Sequence, residues 1–243
     1  MLRSLPGVRP LAISALAAIA WCVLVGGFAD GDPMLIVEAV VGSVILLWML
    51  QVIRELLPLW RLEDTLATDA VPCVIGGIAC RMTPVLGADA VVIGAIQPRI
   101  YVGVDLVERL TDDEIEAVLY HEEHHRVTRA PLRAAAITSW LRLFGRAGGI
   151  RELLLDRLAD LETMADAEAL RRGSTAGSLA RALLKGGEPI GLTAAFSYAA
   201  DRRVEQLLDH VDGDTPAGSR RLPYEWLPVA MFAVTAVGCH IGL

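Results

Sequence analysis

The sequence predicts an α-helical membrane protein with three transmembrane helices and an α+β domain between the second and the third. Three observations lead to this fold class. The 243-residue chain is 54% hydrophobic but only 5% aromatic, more aliphatic than a soluble domain ordinarily is. Three long runs are almost free of charge. The segment between the second and third runs passes from β-branched stretches to helical periodicity. The formal charge of -7, from 22 basic and 29 acidic residues, gives no reason to expect nucleic acid as a direct ligand. Cys22, Cys73, Cys80 and Cys239 are too few and too scattered for a disulfide framework. Cys22 and Cys239 lie in apolar runs as small hydrophobes, and Cys73 and Cys80 are expected as a reduced pair.

The first run, PLAISALAAIAWCVLVGGFA (10–29), carries no charge and is long enough to cross about 30 Å of hydrocarbon as a helix. It exceeds the roughly 7–15 residues of a signal-peptide core, so a retained span is expected over a cleaved one. The second, PMLIVEAVVGSVILLWMLQVI (33–53), holds one charge, Glu38. The third, WLPVAMFAVTAVGCHIGL (226–243), is flanked by Tyr224 and Trp226, residues suited to the interface. Glu38 and His240 fall near outer ends, where they reach water. Arg3 and Arg9 precede the first run, Arg54 and Arg61 follow the second, and Arg220 and Arg221 precede the third. The loop DGD (30–32) has no basic residue. The positive-inside rule therefore places the middle domain in the cytoplasm of a multi-pass protein of the inner or plasma membrane. The expected organisation is a membrane region over 1–61, a cytoplasmic domain over 62–221 and a C-terminal transmembrane helix over 222–243.

Within the domain, AVPCVIGGIAC (70–80) and ADAVVIGAIQPRIYVG (88–103) read as strands broken by glycine and proline. Thr111-Asp112-Asp113-Glu114 is a capping box that opens a helix, and Ile115, Val118 and Leu119 give that helix a buried face. A further helix is expected after Pro131, over 132–144, with an apolar face suited either to the membrane surface or to a core. Another follows over 150–172 and ends at Gly173.

The helix opened by Thr111 ends in LYHEEHHRVTR, which contains H-E-x-x-H as His121, Glu122 and His125. At about 100° per residue, positions 121 and 125 lie roughly 40° apart on one face. Two imidazoles so placed can share one tetrahedral zinc, with Glu122 beside them as general base toward an activated water. His124 is expected in a supporting or solvated role, and Glu123 is expected to be solvated. A third ligand and an open position are still required. ADLETMADAEAL (159–170) offers Glu162 and Asp166 four residues apart. Glu162 would ligate and Asp166 would fix a ligating histidine's tautomer, with Asp160 and Glu168 as rival ligands.

These residues resemble the M56 (penicillin-receptor, BlaR/MecR-like) membrane zinc metallopeptidases, relatives of the M48 (HtpX/Ste24-like) gluzincins. The resemblance covers about residues 85–210 and rests on GAIQPRIYVG, LTDDEIEAVLYHEEHH, LADLETMADAEALRRG and RVEQLL. It implies a gluzincin-type α+β metallopeptidase domain and one Zn2+ per chain held by His121, His125 and Glu162. Glu122 would be the base and Asp166 would stand behind the ligands. Arg203, matching the family's downstream arginine, is the expected oxyanion-stabilising cation, with Tyr198, Arg202 and His210 as rivals. The substrate would be a protein or peptide added as a strand beside VVIGAIQPRIYVG. By analogy with the family it would be a BlaI-type repressor. Arg129 is followed by Ala130-Pro131 where family members often carry an acidic residue before the proline, and no sensor domain is expected after the third run. Two further functions suit the same residues: quality control of membrane proteins, as in M48-like proteases, or a catalytically silent zinc-stabilised adaptor.

Overall fold

The computed structural model describes residues 33–146, 148–186 and Arg203. In it the second apolar run does not end near residue 53 but continues as one helix, α1 (Pro33–Asp69). Its part Val41–Asp69 is long and apolar enough to cross a membrane. It is the one such helix among the described residues, and the expected spans at 10–29 and 226–243 lie outside them. The chain divides into two compact units, with Val52–Arg220 forming one of them. The end of α1 within this unit turns amphipathic. Leu59, Leu62 and Leu66 recur at i, i+3 and i+7, and their cluster with Leu86, Ile93 and Tyr101 caps one face of a sheet. Ion pairs from Glu55 to Arg142 at 2.7 Å and from Glu63 to Arg99 at 3.4 Å fasten the same stretch.

The architecture is α+β, mostly helical with a single sheet. Strands β1 (Val71–Ile75) and β2 (Ile78–Thr83) form an antiparallel hairpin. Its two-residue turn is Gly76-Gly77, both at positive φ, where glycine carries no Cβ penalty. A short 3-10 turn, Pro84–Leu86, leads to β3 (Ala90–Ile93), and β4 (Arg99–Gly103) follows. The sheet order is β1-β2-β4-β3, with β2 and β4 parallel and β3 antiparallel to β4. β3 is therefore an edge strand among the described residues. At Gly103 a side chain would overlap the Gly87 carbonyl, so the chain can turn tightly from β4 into the short helix α2 (Val104–Arg109).

Helix α3 (Asp112–Thr128) starts where the capping box predicts, and the Glu114 carboxylate accepts the Thr111 N–H at 3.0 Å. Its apolar face, Ile115 and Leu119, packs with Ile78, Val92, Ile100 and Val102 on the sheet face opposite α1. Arg129 adopts the left-handed conformation (φ 54°, ψ 44°) between α3 and α4 (Ala130–Phe144). That single residue redirects the chain without a loop. The inner face of α4 is buried, and Ile137 clusters with Leu158 and Leu161 of α5 (Gly148–Arg171); this face is core. Gly173 at φ 108° ends α5, as expected of a glycine after a helix C-terminus. Helix α6 (Ala176–Lys185) then packs Leu179 against Ala117 and Ala169, small residues that let α3, α5 and α6 approach closely.

Candidate metal centre

Helices α3 and α5 bring the two halves of the predicted site together. His121 and His125 lie one turn apart on the buried face of α3, 5% and 9% exposed. Their Nε2 atoms are 2.9 Å apart, and the rings meet edge to face. From α5 the Glu162 carboxylate reaches both histidines, Oε2 to His121 Nε2 and Oε1 to His125 Nε2, each at 3.4 Å. One donor atom from each of the three residues falls within 4.8 Å of the others. A buried group of His121, His125 and Glu162 that could hold a metal ion is thus present.

The donor chemistry fits a cation. Donors bound to one tetrahedral ion at about 2.0–2.1 Å stand roughly 3.3–3.4 Å from one another. Glu162 stands 3.4 Å from both histidines, and the two Nε2 atoms, at 2.9 Å, would part slightly around an ion. Asp166 is fully buried and takes the His121 Nδ1 hydrogen at 2.8 Å. In the neutral imidazole, the form that binds a metal, that bond puts the lone pair on Nε2, which faces His125 and Glu162. It is also the carboxylate–histidine arrangement that orients metal-binding imidazoles.

Arg203 closes the cluster from behind. Its Nε and Nη2 donate to the two Asp166 oxygens at 2.7 and 2.8 Å, and Nη1 lies 3.4 Å from Glu162 Oε2. Asp166 thus receives three N–H donors. The sequence nominated this arginine as the oxyanion-stabilising cation; its guanidinium grips the supporting carboxylate Asp166 and also reaches Glu162. Tyr198, Arg202 and His210 lie outside the described residues.

The rivals have other partners. Asp160 pairs with Arg157 at 3.1 Å. Glu168 is bound by Arg171 and Arg172, and those arginines hold it at about 2. Glu123, expected to be solvated, is instead largely covered and forms a two-pronged pair with Arg126 at 2.6 Å. The His124 ring lies 6.5 Å from that of His125; burial, with the neighbouring His125, depresses its pKa to about 4.

The charged groups hold one another in their states. Burial and Arg203 push His121 down, but Asp166 and Glu162 outweigh them and raise it to about 9. Burial pushes the carboxyls of Glu162 and Asp166 up. Hydrogen bonds from both histidines nevertheless hold Glu162 well below the usual range, and His121 and Arg203 hold Asp166 down. Glu122, beside both histidines, goes the other way: burial raises its pKa. That direction makes the carboxylate a stronger proton acceptor than an exposed glutamate. No family model, curated protein or solved structure matches the chain.

Proposed function

We propose that the chain is a zinc-dependent membrane endopeptidase of gluzincin type and the M56 kind, with three transmembrane helices and its site on the cytoplasmic side. One observation carries the reading: the convergence of His121, His125 and Glu162 with Glu122 beside them and Asp166 behind. A purely structural zinc site would fill its fourth position with another cysteine or histidine. Among the described residues the group consists of two histidines and one carboxylate, the donor count of a catalytic site.

Bound to these residues, Zn2+ supplies a Lewis acid and lowers the pKa of water toward about 7. The protein's own groups do the rest. Glu122 accepts the proton of the attacking water at a carboxylate oxygen and delivers it to the departing amine. Asp166 keeps His121 in the tautomer whose Nε2 lone pair points into the site. Arg203 is a positioning residue that orients Asp166 and Glu162. Edge strand β3 offers its open side to an extended peptide, and the substrate is a protein, a BlaI-type repressor on the family analogy.

The test compares membranes holding the intact protein with membranes holding Glu122→Gln, measuring bound zinc and the peptides released from membrane and cytoplasmic proteins. The variant keeps zinc at the wild-type level while cleavage falls by about 10²–10⁴, the contribution of general-base catalysis. Unchanged cleavage in the variant rejects the peptidase reading.

A further inference from the structure

The hairpin carries a second chemical feature, apart from the metal site and not required by it. Cys73 on β1 and Cys80 on β2 are directly opposed in the ladder. Opposed residues of an antiparallel pair have Cα atoms about 4.5–5.5 Å apart, inside the span of about 4.4–6.8 Å that a disulfide bridges. Both side chains sit on the face toward α3, and their Sγ atoms are 2.8 Å apart, closer than two unbonded sulfurs ordinarily approach. Both thiols are free and line one open groove of about 930 Å³. The same groove is walled by Arg81, Arg99, Arg126 and Arg172. The last three pair with Glu63, Glu123 and Glu168, which leaves Arg81 as the arginine with no carboxylate partner among the described residues. Its charge favours an anionic visitor.

We propose that Cys73 and Cys80 form a redox-active dithiol, oxidised to a disulfide across the hairpin by a small anionic disulfide of the glutathione class that enters this arginine-lined groove. Cys73, the more exposed thiol, attacks first as the thiolate. A bond forms between Cys73 Sγ and one glutathione sulfur, the glutathione S–S bond breaks, and one glutathione thiolate leaves. Cys80 is buried, and burial with the adjacent Cys73 pushes its thiol up to about 12, so it resolves rather than initiates. It gives its proton to solvent and attacks Cys73 Sγ, expelling the second glutathione thiolate, and both leaving groups are protonated. Two electrons pass from the protein to the glutathione disulfide, yielding two glutathione thiols. The loop closed is short, so the bond removes little chain entropy and stays reversible. Oxidation pins β1, the strand at the edge opposite β3, covalently to its neighbour.

The test uses the full chain with Cys22→Ala and Cys239→Ala, purified in detergent and incubated with oxidised glutathione before alkylation and mass measurement. The expected product is lighter than the reduced protein by two hydrogen masses, resists alkylation, and yields a linked peptide holding Cys73 and Cys80. Reduced glutathione in excess reverses it. Adding Cys80→Ser stops the reaction at a glutathione adduct on Cys73, whereas Cys73→Ser leaves Cys80 unmodified. Arg81→Glu with Arg99→Glu slows oxidation by oxidised glutathione at least tenfold but leaves oxidation by neutral hydroxyethyl disulfide unchanged. Alkylation of both thiols after oxidation, or a lasting glutathione adduct in place of the linked peptide, overturns the dithiol. Equal rates for the two oxidants in both proteins overturn the groove as the entry site.

Discussion

Asp166 bears more of the candidate site than any ligand does. It is fully buried, yet it holds the His121 imidazole and both inner donors of Arg203. Its loss acts on metal affinity and on folding together. Removing a partner that orients a ligating histidine ordinarily costs 10–100-fold in metal affinity. Breaking a buried ion pair by deleting one member costs about 3–5 kcal/mol. Asp166→Ala is therefore expected to weaken zinc binding by one to two decades and to lower the denaturant midpoint. Glu162→Ala removes a donor atom itself and loses more zinc than Asp166→Ala. His124→Ala, whose ring is outside the converging group, loses least. Competition titration against a zinc-binding dye orders the three, and a larger loss for His124→Ala than for Glu162→Ala rejects the assignment of ligands. The histidine pair and the Glu162–Asp166 pair were legible in the sequence because a helix repeats every 3.6 residues. The grip of Arg203 on Asp166 was not legible, because it spans 37 residues and depends on how the chain returns to α5.

Among the elements, α3 has the same division between local and distant information. Its capping box was readable from four adjacent residues. The tertiary partners of its buried glutamate were not. Glu114 accepts from Lys185 at 2.6 Å and from Arg181 at 2.9 Å, so the start of α3 also ties down α6. The Lys185 bond, the Thr111 N–H and Arg181 together hold the Glu114 carboxyl down to about 2. Because the folded pKa lies below the unfolded one, the stabilisation is fully present above the ordinary value of 4.5 and disappears as pH falls toward about 2. Glu114→Gln is expected to unfold at lower denaturant than wild type at neutral pH. The gap narrows steadily as the medium is acidified through that window, and chemical denaturation at several pH values measures it. A gap independent of pH would mean that the glutamine variant fails through packing. The strand segments were likewise legible from β-branched runs, whereas the parallel pairing of β2 with β4 was not, since no local pattern names a strand's partner.

At the scale of the molecule, the proposed topology rests on α1 and on the arginines around the apolar runs. The apolar run ending at residue 53 was plain from hydropathy. Its continuation to Asp69 was signalled by the spacing of Leu59, Leu62 and Leu66, but charges at Arg54, Arg61, Glu63 and Asp64 masked it as the edge of a separate domain. Within the Val52–Arg220 unit the end of this helix packs on the sheet that supports α3. Arg54 and Arg61 follow the apolar run that ends at residue 53, and on the proposed topology such residues stay on the cytoplasmic face. Arg220 and Arg221 precede the third apolar run of the sequence, and they too favour that face. A phosphatase reporter that matures only outside the cytoplasm, fused at Gly213, is thus expected to be silent. The same reporter after Leu243 is expected to be active, because one more apolar run of 226–243 lies between the two fusion points. Signal from Gly213 and silence after Leu243 would put the histidine cluster outside the membrane. There an oxidising medium would keep Cys73 and Cys80 bridged rather than poised for exchange, so the same pair of fusions also states which redox environment the hairpin meets.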